Sequence, residues 1–330
     1  MKSRSSDAGR SGPREFPVDA RADGQRLDNF LLRELRGVPR GLLYRLIRKG
    51  AIRVDGRRGS ARQRLAAGST VRVPDLDRPQ TADAPDIPPR VLERLRAAIL
   101  FEDDDYLVLD KPSGLAVHGG SGLAFGIIEA MRVLRPDAGL ELGHRLDRET
   151  SGCLVLAKGR EPLQALHEAL RTGQVDKRYL ALLVGRWKDD RPIHCDAPLG
   201  RDRGEDGRRR VSAGGEGDAR QRAADSLFVP LEAHGAFQLA EVRIGTGRTH
   251  QIRVHGREIG HPVAGDHEYG LPDANRRLRR LGLKRLFLHA QALRFTDGRG
   301  EERIFSAPLP DELVAVLNSL DHATESAGEE

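Results

Sequence analysis

The sequence predicts an α+β fold in two parts, a small N-terminal domain followed by a larger domain. The chain has 330 residues, of which 38% are hydrophobic, and this is enough for two ordinary domains with at least one sizeable core. In the second part, apolar runs at hairpin-like spacing mix with helical patterns and follow no strict βα repeat. A proline- and aspartate-rich stretch between residues 74 and 89 separates the two parts.

Positive charge is concentrated in one segment. The whole chain carries a net charge of +6, but residues 24–73 hold 13 Arg or Lys against Asp28, Glu34 and Asp55, a local net charge of +10. The remaining residues therefore carry a net charge of −4. A polyanionic partner such as a nucleic acid is expected to bind this segment.

Other features of the composition exclude several classes of protein. Two cysteines provide neither a disulfide framework nor a paired zinc site. No apolar stretch has the character of a signal peptide or the length of a membrane span, so we expect a soluble, cytoplasmic protein with no membrane partner.

The N-terminal part predicts a disordered tail over residues 1–15, followed by two short helices and a hairpin. Helical spacing relates Leu27, Phe30, Leu31 and Leu35, and it is repeated by Leu42, Leu43, Leu46 and Ile47. Residues 52–54 with the turn Asp55-Gly56 predict a strand, and Val71 and Val73 predict a returning strand.

This order, with a basic second helix, resembles the S4 RNA-binding domain over residues 24–78, and a linker is expected at 79–90. The resemblance implies RNA binding by residues on and near the second helix: Arg40, Arg45, Arg48, Lys49 and Arg53. A basic helix face is often merely solvated. A ten-charge excess in fifty residues favours phosphate binding.

The larger part, residues 91–322, is expected to hold the chemistry. Strands are predicted at 107–109, 153–157, 179–184 and 237–244, and helices near 123–135, 160–171 and 311–320. Residues 200–222 are rich in Gly, Arg, Asp and Glu and predict a mobile insertion.

The segment His144-Arg145-Leu146-Asp147-Arg148-Glu149-Thr150-Ser151-Gly152 sets one carboxylate between two guanidinium groups, just before an apolar strand. A carboxylate flanked by fixed cations stays ionised well below neutral pH. Asp147 could therefore act as a nucleophile or an electrostatic stabiliser, although a surface Arg-Asp pair is the simpler explanation for an arbitrary tetrapeptide of this kind.

Four more segments accompany it in order along the chain. They are Leu109 to Gly114 with Val117-His118, Lys177 to Ala181, Gly245 to His255 and Arg285 to Ala290. Taken alone, the first segment predicts only a turn, and a tyrosine such as Tyr179 is most often a core residue. His250 and Arg253 would share one face of a helix. They could suggest a phosphate or metal site, but the thiol or carboxylate ligands usual for a metal are missing. Together with the segment around Asp147, they resemble the RluA-type family of RNA pseudouridine synthases over nearly all of residues 20–320.

The resemblance implies a synthase domain with a central mixed, largely antiparallel sheet, an essential aspartate at Asp147 and an active-site tyrosine at Tyr179. It also implies that Arg253 pairs with Asp147, that residues 285–290 help to form the pocket wall, and that no metal or cofactor is needed. The target uridine must leave its stack, and the planar guanidinium of Arg145 could fill the vacated space or contact a phosphate.

The expected partner is 23S ribosomal RNA, or a large-subunit assembly particle, bound by a monomer. Members directed to other large-subunit sites or to tRNA share the catalytic residues, so the motif around Asp147 does not separate them. A noncatalytic S4 ribosome-binding protein and a methyltransferase are weaker alternatives, because Asp147 is present and Gly119 to Gly122 lacks the spacing of a dinucleotide fingerprint.

Overall fold

A computed structural model of the chain describes residues 13–35, 38, 40–75, 87–119, 124–203, 209–214 and 221–328. The chain divides into two compact units, Met1–Ala84 and Pro85–Glu330. Parts of four predictions lie outside the described residues: the tail at 1–12, the linker at 76–86, the glycines at 120–122, and the insertion at 204–208 and 215–220. The side chain of Arg40 is also outside them.

The first unit consists of two helices and a small sheet. Its elements are β1 (Arg14–Pro17), α1 (Leu27–Glu34), α2 (Arg40–Lys49), β2 (Arg53–Val54), β3 (Arg57–Arg58) and β4 (Thr70–Val73), with a 3₁₀ turn at Ala20–Ala22. The antiparallel sheet has the order β1-β4-β2-β3.

Helical spacing of apolar residues explains how the first unit folds. The buried faces of α1 and α2 pack with the sheet in one core, which includes Leu27, Phe30, Leu43, Ile47 and Val71. The polar residues of α2 are left on the outer face, as an amphipathic helix requires. The predicted helix pair and hairpin are therefore confirmed.

The end of the predicted tail is wrong. Strand β1 pairs Arg14 with Val73 and Glu15 with Arg72, so the tail predicted over residues 1–15 ends too late. Strand β1 has only four residues and little apolar periodicity, and its position depends on a partner about 55 residues away in sequence. The predicted linker at 79–90 also ends too late, because the next helix begins at Pro89.

The second unit combines helices with a large sheet. Its helices are α3 (Pro89–Ala97), α4 (Ile127–Leu134), α5 (Arg160–Arg171), α6 (Gln251–Glu258), α7 (Pro272–Arg280) and α8 (Asp311–Gly328). Its strands are β5 (Ile99–Glu102), β6 (Tyr106–Lys111), β7 (Leu140–Leu142), β8 (Ser151–Lys158), β9 (Asp176–Val184), β10 (Ile193–Cys195), β11 (Leu199–Arg203), β12 (Arg209–Ala213), β13 (Ser226–His234), β14 (Phe237–Ile244), β15 (Leu288–Thr296) and β16 (Glu302–Ser306).

The large sheet is mixed and mostly antiparallel, as predicted. Its order is β10-β13-β14-β9-β15-β8-β6-β5, with β7 beside β8 and β16 beside β15. Among the described strands, β8 and β15 pair in parallel and the other pairs are antiparallel. Strand β8 is buried along nearly its whole length, which explains its continuous apolar run.

The strand register brings the predicted motifs together. Lys111 at the end of β6 pairs with Gly152 at the start of β8, and Tyr179 of β9 pairs with Ala290 of β15 and Val242 of β14. Gly152 has φ of +109°, and a Cβ there would lie 2.2 Å from the carbonyl oxygen of Ala290. Only glycine permits this close approach of β8 to β15 beside the loop that carries Asp147.

The described part of the predicted mobile insertion at 200–222 contains regular secondary structure. Strands β11 and β12 form an antiparallel hairpin, and Leu199 bridges to Arg222. Val211 packs in a small core with Val254 of α6 and Tyr269. Sequence composition indicated a mobile segment because a few apolar residues among many charges gave no clear strand pattern, yet they suffice to dock the hairpin.

Candidate active site

A pocket in the second unit contains the three side chains predicted to be catalytic. Asp147, Tyr179 and Arg253 all line it, together with Arg145 on the exposed rim. Asp147 lies in the loop between β7 and β8, Tyr179 in β9 and Arg253 in α6. Residues from three distant parts of the sequence therefore meet where the motifs predicted a single site.

The start of the Asp147 loop is attached to the adjoining strand. The backbone N–H of Val155 donates to Nε2 of His144 at 3.0 Å, and Gly143 N donates to the Val155 carbonyl at 3.0 Å. Burial, and then Lys177, lower the pKa of His144 to about 4. The imidazole is therefore neutral at pH 7 and can accept this hydrogen bond.

The end of the loop is held by the turn that follows β6. Nζ of Lys111 and the N–H of Gly114 both donate to the carbonyl of Arg148, at 3.0 and 2.9 Å. The hydroxyl of Ser113 donates to the carbonyl of Glu149 at 2.7 Å. The Lys-Pro-Ser-Gly segment therefore fixes the backbone immediately after Asp147.

Lys111 is fully buried, and its immediate partners are backbone carbonyls. Burial, assisted by nearby Arg285, lowers its pKa to about 7. The sequence identified this segment as a turn, and its contacts position the loop that carries Asp147.

The carboxylate of Asp147 makes no hydrogen bond or ion pair with any described residue. Arg148, which flanks Asp147 in the sequence, pairs instead with Glu149 at 2.9 Å. The side chains of adjacent residues in a tight loop point in different directions, so neighbours in the sequence need not pair with each other. The carboxylate is half-buried and faces the pocket with its oxygen atoms available to a ligand.

Tyr179 is buried beneath the pocket, with about 9% of its surface exposed. Burial, and then the negative charge of Asp147, raise the pKa of its phenol. The hydroxyl therefore stays protonated at neutral pH and can donate a hydrogen bond there. Tyr179 lines the same pocket as Asp147.

The expected ion pair between Arg253 and Asp147 is wrong in this structure. Arg253 instead binds Asp266 in a bidentate pair, with Nε–Oδ2 of 2.6 Å and Nη2–Oδ1 of 2.9 Å, and lies 3.4 Å from Glu268. It remains near Asp147, since both line the pocket and the charge of Asp147 contributes to raising the pKa of Arg253. Arg253 therefore provides positive potential at the pocket while Asp266 fixes its orientation.

Asp266 is the functional-site residue that the sequence analysis missed. Its side chain is completely buried, and burial opposes its ionisation, but hydrogen bonds from Arg253 and from the backbone lower its pKa. An arginine on a buried helix face needs an acidic partner. Asp266 and Glu268, soon after α6, could have been proposed on that basis.

The turn before α6 is organised by Gln251. Its Oε1 accepts from the hydroxyl of Thr246 at 2.7 Å and from Arg248 N at 3.0 Å, while its Nε2 donates to the Asp225 carbonyl. His250 has a left-handed backbone and lies 2.9 Å from the hydroxyl of Tyr269. Helix α6 begins at Gln251, so Arg253 lies in its first turn and His250 immediately precedes it.

The predicted RNA-binding residues of the first unit are distant in the sequence from the residues that line this pocket. Arg45, Arg48 and Lys49 are exposed on α2, and none pairs with a described acidic residue. Arg53 is exposed on β2 and donates to the Gly56 carbonyl at 3.0 Å. Within the described part of the chain, no cluster of His, Cys, Asp and Glu is arranged to hold a metal ion, and no helix is long and apolar enough to cross a membrane.

Buried histidines predict a pH-dependent stability. Burial is the main reason that the pKa values of His144 and His289 fall from near 6.5 to about 4. Between these values the unfolded chain binds more protons, so the free energy of unfolding should decrease as the pH falls from 6.5 to 5, by about 1 kcal/mol per pH unit for each histidine. Urea unfolding followed through the single tryptophan, Trp187, measures this slope.

His289→Gln should make that slope shallower, whereas His167→Gln, at an exposed position, should leave it unchanged. Equal slopes for the wild type and His289→Gln would show that folding does not lower the pKa of His289. The comparison uses slopes because the substitution also changes the absolute stability.

Comparisons with known proteins agree with this geometry. An RNA pseudouridylate synthase family model matches residues 105–257, and an S4 domain model matches residues 25–71. Ribosomal large subunit pseudouridine synthase C of Pasteurella multocida is 45% identical over 304 residues, 90% of this chain and 90% of that protein. The protein of the same name from Escherichia coli K12 is 44% identical, over 93% of this chain and 96% of its own.

Solved structures of RNA pseudouridylate synthase domains are also similar to this chain. The human RNA pseudouridylate synthase domain containing 4 structure has a TM-score of 0.58 and 28% identity, covering 70% of this chain and 95% of that chain. The corresponding human domain containing 1 structure has a TM-score of 0.56 and 26% identity, covering 69% and 96%. The chain therefore belongs to the RNA pseudouridine synthase family, with an S4 domain preceding its synthase domain.

Proposed function

We propose that this enzyme converts specific uridines of large-subunit (23S) ribosomal RNA to pseudouridine, with Asp147 as the essential residue and without a cofactor. The observation that carries the proposal is an unpaired carboxylate on a loop held at both ends, directed into a pocket beside a buried tyrosine and a fixed guanidinium. The names of the similar bacterial proteins support large-subunit RNA as the substrate. The enzyme would act as a monomer in the cytoplasm.

The reaction is an isomerisation whose atoms balance without a co-reactant. The bond between N1 of uracil and C1′ of the ribose breaks, the base turns, C5 bonds to C1′, and the proton on C5 moves to N1 by way of solvent or a side chain. Asp147 could attack C1′ directly, or remove a proton from C2′ to form a glycal. Both routes need an ionised carboxylate that is free to reach the ribose.

The neighbouring residues have complementary roles. Tyr179 supports the base from the pocket floor and lies near the site of the late proton removal. Arg253, oriented by Asp266, presents its guanidinium to the pocket that holds Asp147. Arg145, at the exposed rim, occupies the space that the flipped uridine leaves or contacts a phosphate.

The exposed cations of α2 are expected to anchor RNA. Replacing Arg45, Arg48 and Lys49 together by Gln should weaken binding to a large-subunit RNA transcript and reduce the slope of log affinity against log salt by about 2 to 3. Turnover at saturating RNA should change little, because Asp147 and Tyr179 are untouched. Affinity measured across a salt series tests this.

A matched control removes the same charge elsewhere. Arg90, Arg96 and Arg160 are exposed in the second unit, have no described partner and line no described pocket, and all three are replaced by Gln. If the α2 variant and this control show the same affinity and salt slope, the first unit is not the RNA anchor.

The proposed reaction itself is tested with RNA containing [5-³H]uridine. Each turnover replaces the hydrogen on C5, so tritium release should equal the pseudouridine formed at a small number of sites, with no added metal or cofactor. A wild-type protein that releases no tritium from large-subunit RNA, free or in assembly particles, would refute the proposed substrate.

A further inference from the structure

We propose that the arginine-rich end of α7 forms a second RNA-backbone-binding surface, continuous with the edge of the active site. We define this α7 surface as Arg276, Arg277, Arg279, Arg280 and Lys284. The inference rests on the proposed function for the identity of its polyanion. It assigns to the synthase domain an RNA contact distinct from the basic helix of the first unit.

The surface is both exposed and strongly charged. Helix α7 has the sequence Pro-Asp-Ala-Asn-Arg-Arg-Leu-Arg-Arg, in which four arginines stand against one acid, Asp273. Leu278 is its buried residue, while all four arginines and Lys284 are exposed. One anchoring leucine and an exposed basic face suit a helix that packs on one side and binds a polyanion on the other.

Most of this charge has no counter-ion within the described part of the chain. Arg276 pairs with Asp273, and Arg277 lies 5.9 Å from the ring centroid of Phe237. The side chains of Arg279, Arg280 and Lys284 make no hydrogen bond or ion pair with a described residue. The helix dipole favours cations at this end, but each such interaction contributes only about 0.3–1 kcal/mol and neutralises none of the exposed charge.

The α7 surface leads into the catalytic region. Leu283 N donates to the carbonyl of Leu278 at 3.0 Å, which folds the chain back so that Lys284 lies at the C-terminal end of the helix. Lys284 then lines a pocket with Arg148 and Arg253. Arg253 also lines the pocket of Asp147, so Lys284 lies at the edge of a pocket that adjoins that of Asp147. In this edge pocket Arg148 is paired with Glu149 and Arg253 with Asp266, whereas the side chain of Lys284 pairs with no described residue.

The helix is also fixed to the catalytic residues. Asn275 of α7 accepts a hydrogen bond from Gly265 N at 2.9 Å and donates to the carbonyl of Asp266 at 2.7 Å. Asp266 in turn holds Arg253. RNA bound on α7 would therefore lie in a defined position relative to the reacting uridine, as phosphate contacts that set register require.

The position of α7 in the sequence suggests a role in choosing RNA. The synthase family model matches residues 105–257, which contain Asp147, Tyr179 and Arg253, and α7 lies beyond that match. We infer that the α7 surface contributes to binding and placement of the RNA and does not take part in bond breaking.

The test compares Arg279→Gln/Arg280→Gln/Lys284→Gln with the Arg90, Arg96 and Arg160 control in the full chain. With a large-subunit rRNA transcript at low salt, the α7 variant should bind on the order of tenfold to a hundredfold more weakly, with a salt slope lower by about 2 to 3. KM should rise while kcat stays near the wild-type value.

An affinity and salt slope equal to those of the control would overturn the proposal, and so would a loss confined to kcat. Far-UV circular dichroism and urea unfolding identify any misfolded variant, and Arg279→Lys/Arg280→Lys, which keeps the charge, should restore most of the affinity. Binding is measured separately from turnover. Absence of pseudouridine formation by the wild type would count against the proposed function, whereas equal binding by variant and control would count against the α7 surface.

Discussion

Asp147→Asn is expected to lower kcat/KM for pseudouridine formation by at least about a thousandfold, the scale on which removal of a general base or nucleophile acts. The amide has nearly the same shape but cannot attack a sugar carbon or accept a proton efficiently. Because the side chain of Asp147 makes no hydrogen bond or ion pair with another described residue, the substitution should leave stability almost unchanged. RNA affinity should also stay close to that of the wild type.

Tritium release and urea unfolding, measured on the same preparations, test both halves of this prediction. Asp137→Asn is a matched control, since Asp137 is exposed on the 3₁₀ turn Pro136–Ala138. Substantial turnover by Asp147→Asn would exclude it as the essential residue. An inactive variant that is also unfolded would contradict the structural account of the loop.

Breaking the pair between Arg253 and Asp266 should destabilise the second unit by about 3–5 kcal/mol, because either single substitution leaves a buried charge without its partner. Arg253→Met strands the completely buried carboxylate of Asp266, and Asp266→Asn weakens the bidentate contact. Urea unfolding of each variant, followed through Trp187, measures these losses.

The double variant Arg253→Met/Asp266→Asn separates stability from chemistry. Its loss of stability should be smaller than the sum of the two single losses, because the buried charges are removed together. It should still be inactive, since the guanidinium that lines the pocket of Asp147 is gone. Additive stability losses would show that the pair does not act as a unit, and normal activity would show that Arg253 has no catalytic role.

Periodicity and motif content predicted much of the fold. The apolar spacing of α1 and α2, the hairpin turn at Asp55-Gly56 and the buried run of β8 are local signals, and the structure confirms them. Strand β1 was missed because its four residues carry no local apolar pattern. They form a strand only by pairing with β4, which is distant in the sequence. The hairpin β11–β12 was missed for a related reason, since its docking depends on Val211 meeting Val254 and Tyr269 across the fold.

At the site, too, local motifs identified individual residues, whereas contacts between distant segments could not be predicted. Sequence motifs identified Asp147, Tyr179 and Arg253, and the strand register brings them into one pocket. The pairing of Arg253 with Asp147 was expected from the family resemblance, and in the structure Arg253 pairs with Asp266 instead. Asp266 lies 13 residues beyond Arg253 and contacts it only when the loop after α6 folds back.

The most direct test of the central claim is to map pseudouridine in large-subunit ribosomal RNA from cells that lack this protein and from the same cells supplied with the wild type or with Asp147→Asn. Carbodiimide mapping detects each modified uridine. We predict that specific pseudouridines disappear without the protein, return with the wild type and stay absent with Asp147→Asn. An unchanged pseudouridine pattern in cells lacking the protein, or full restoration by Asp147→Asn, would contradict the account.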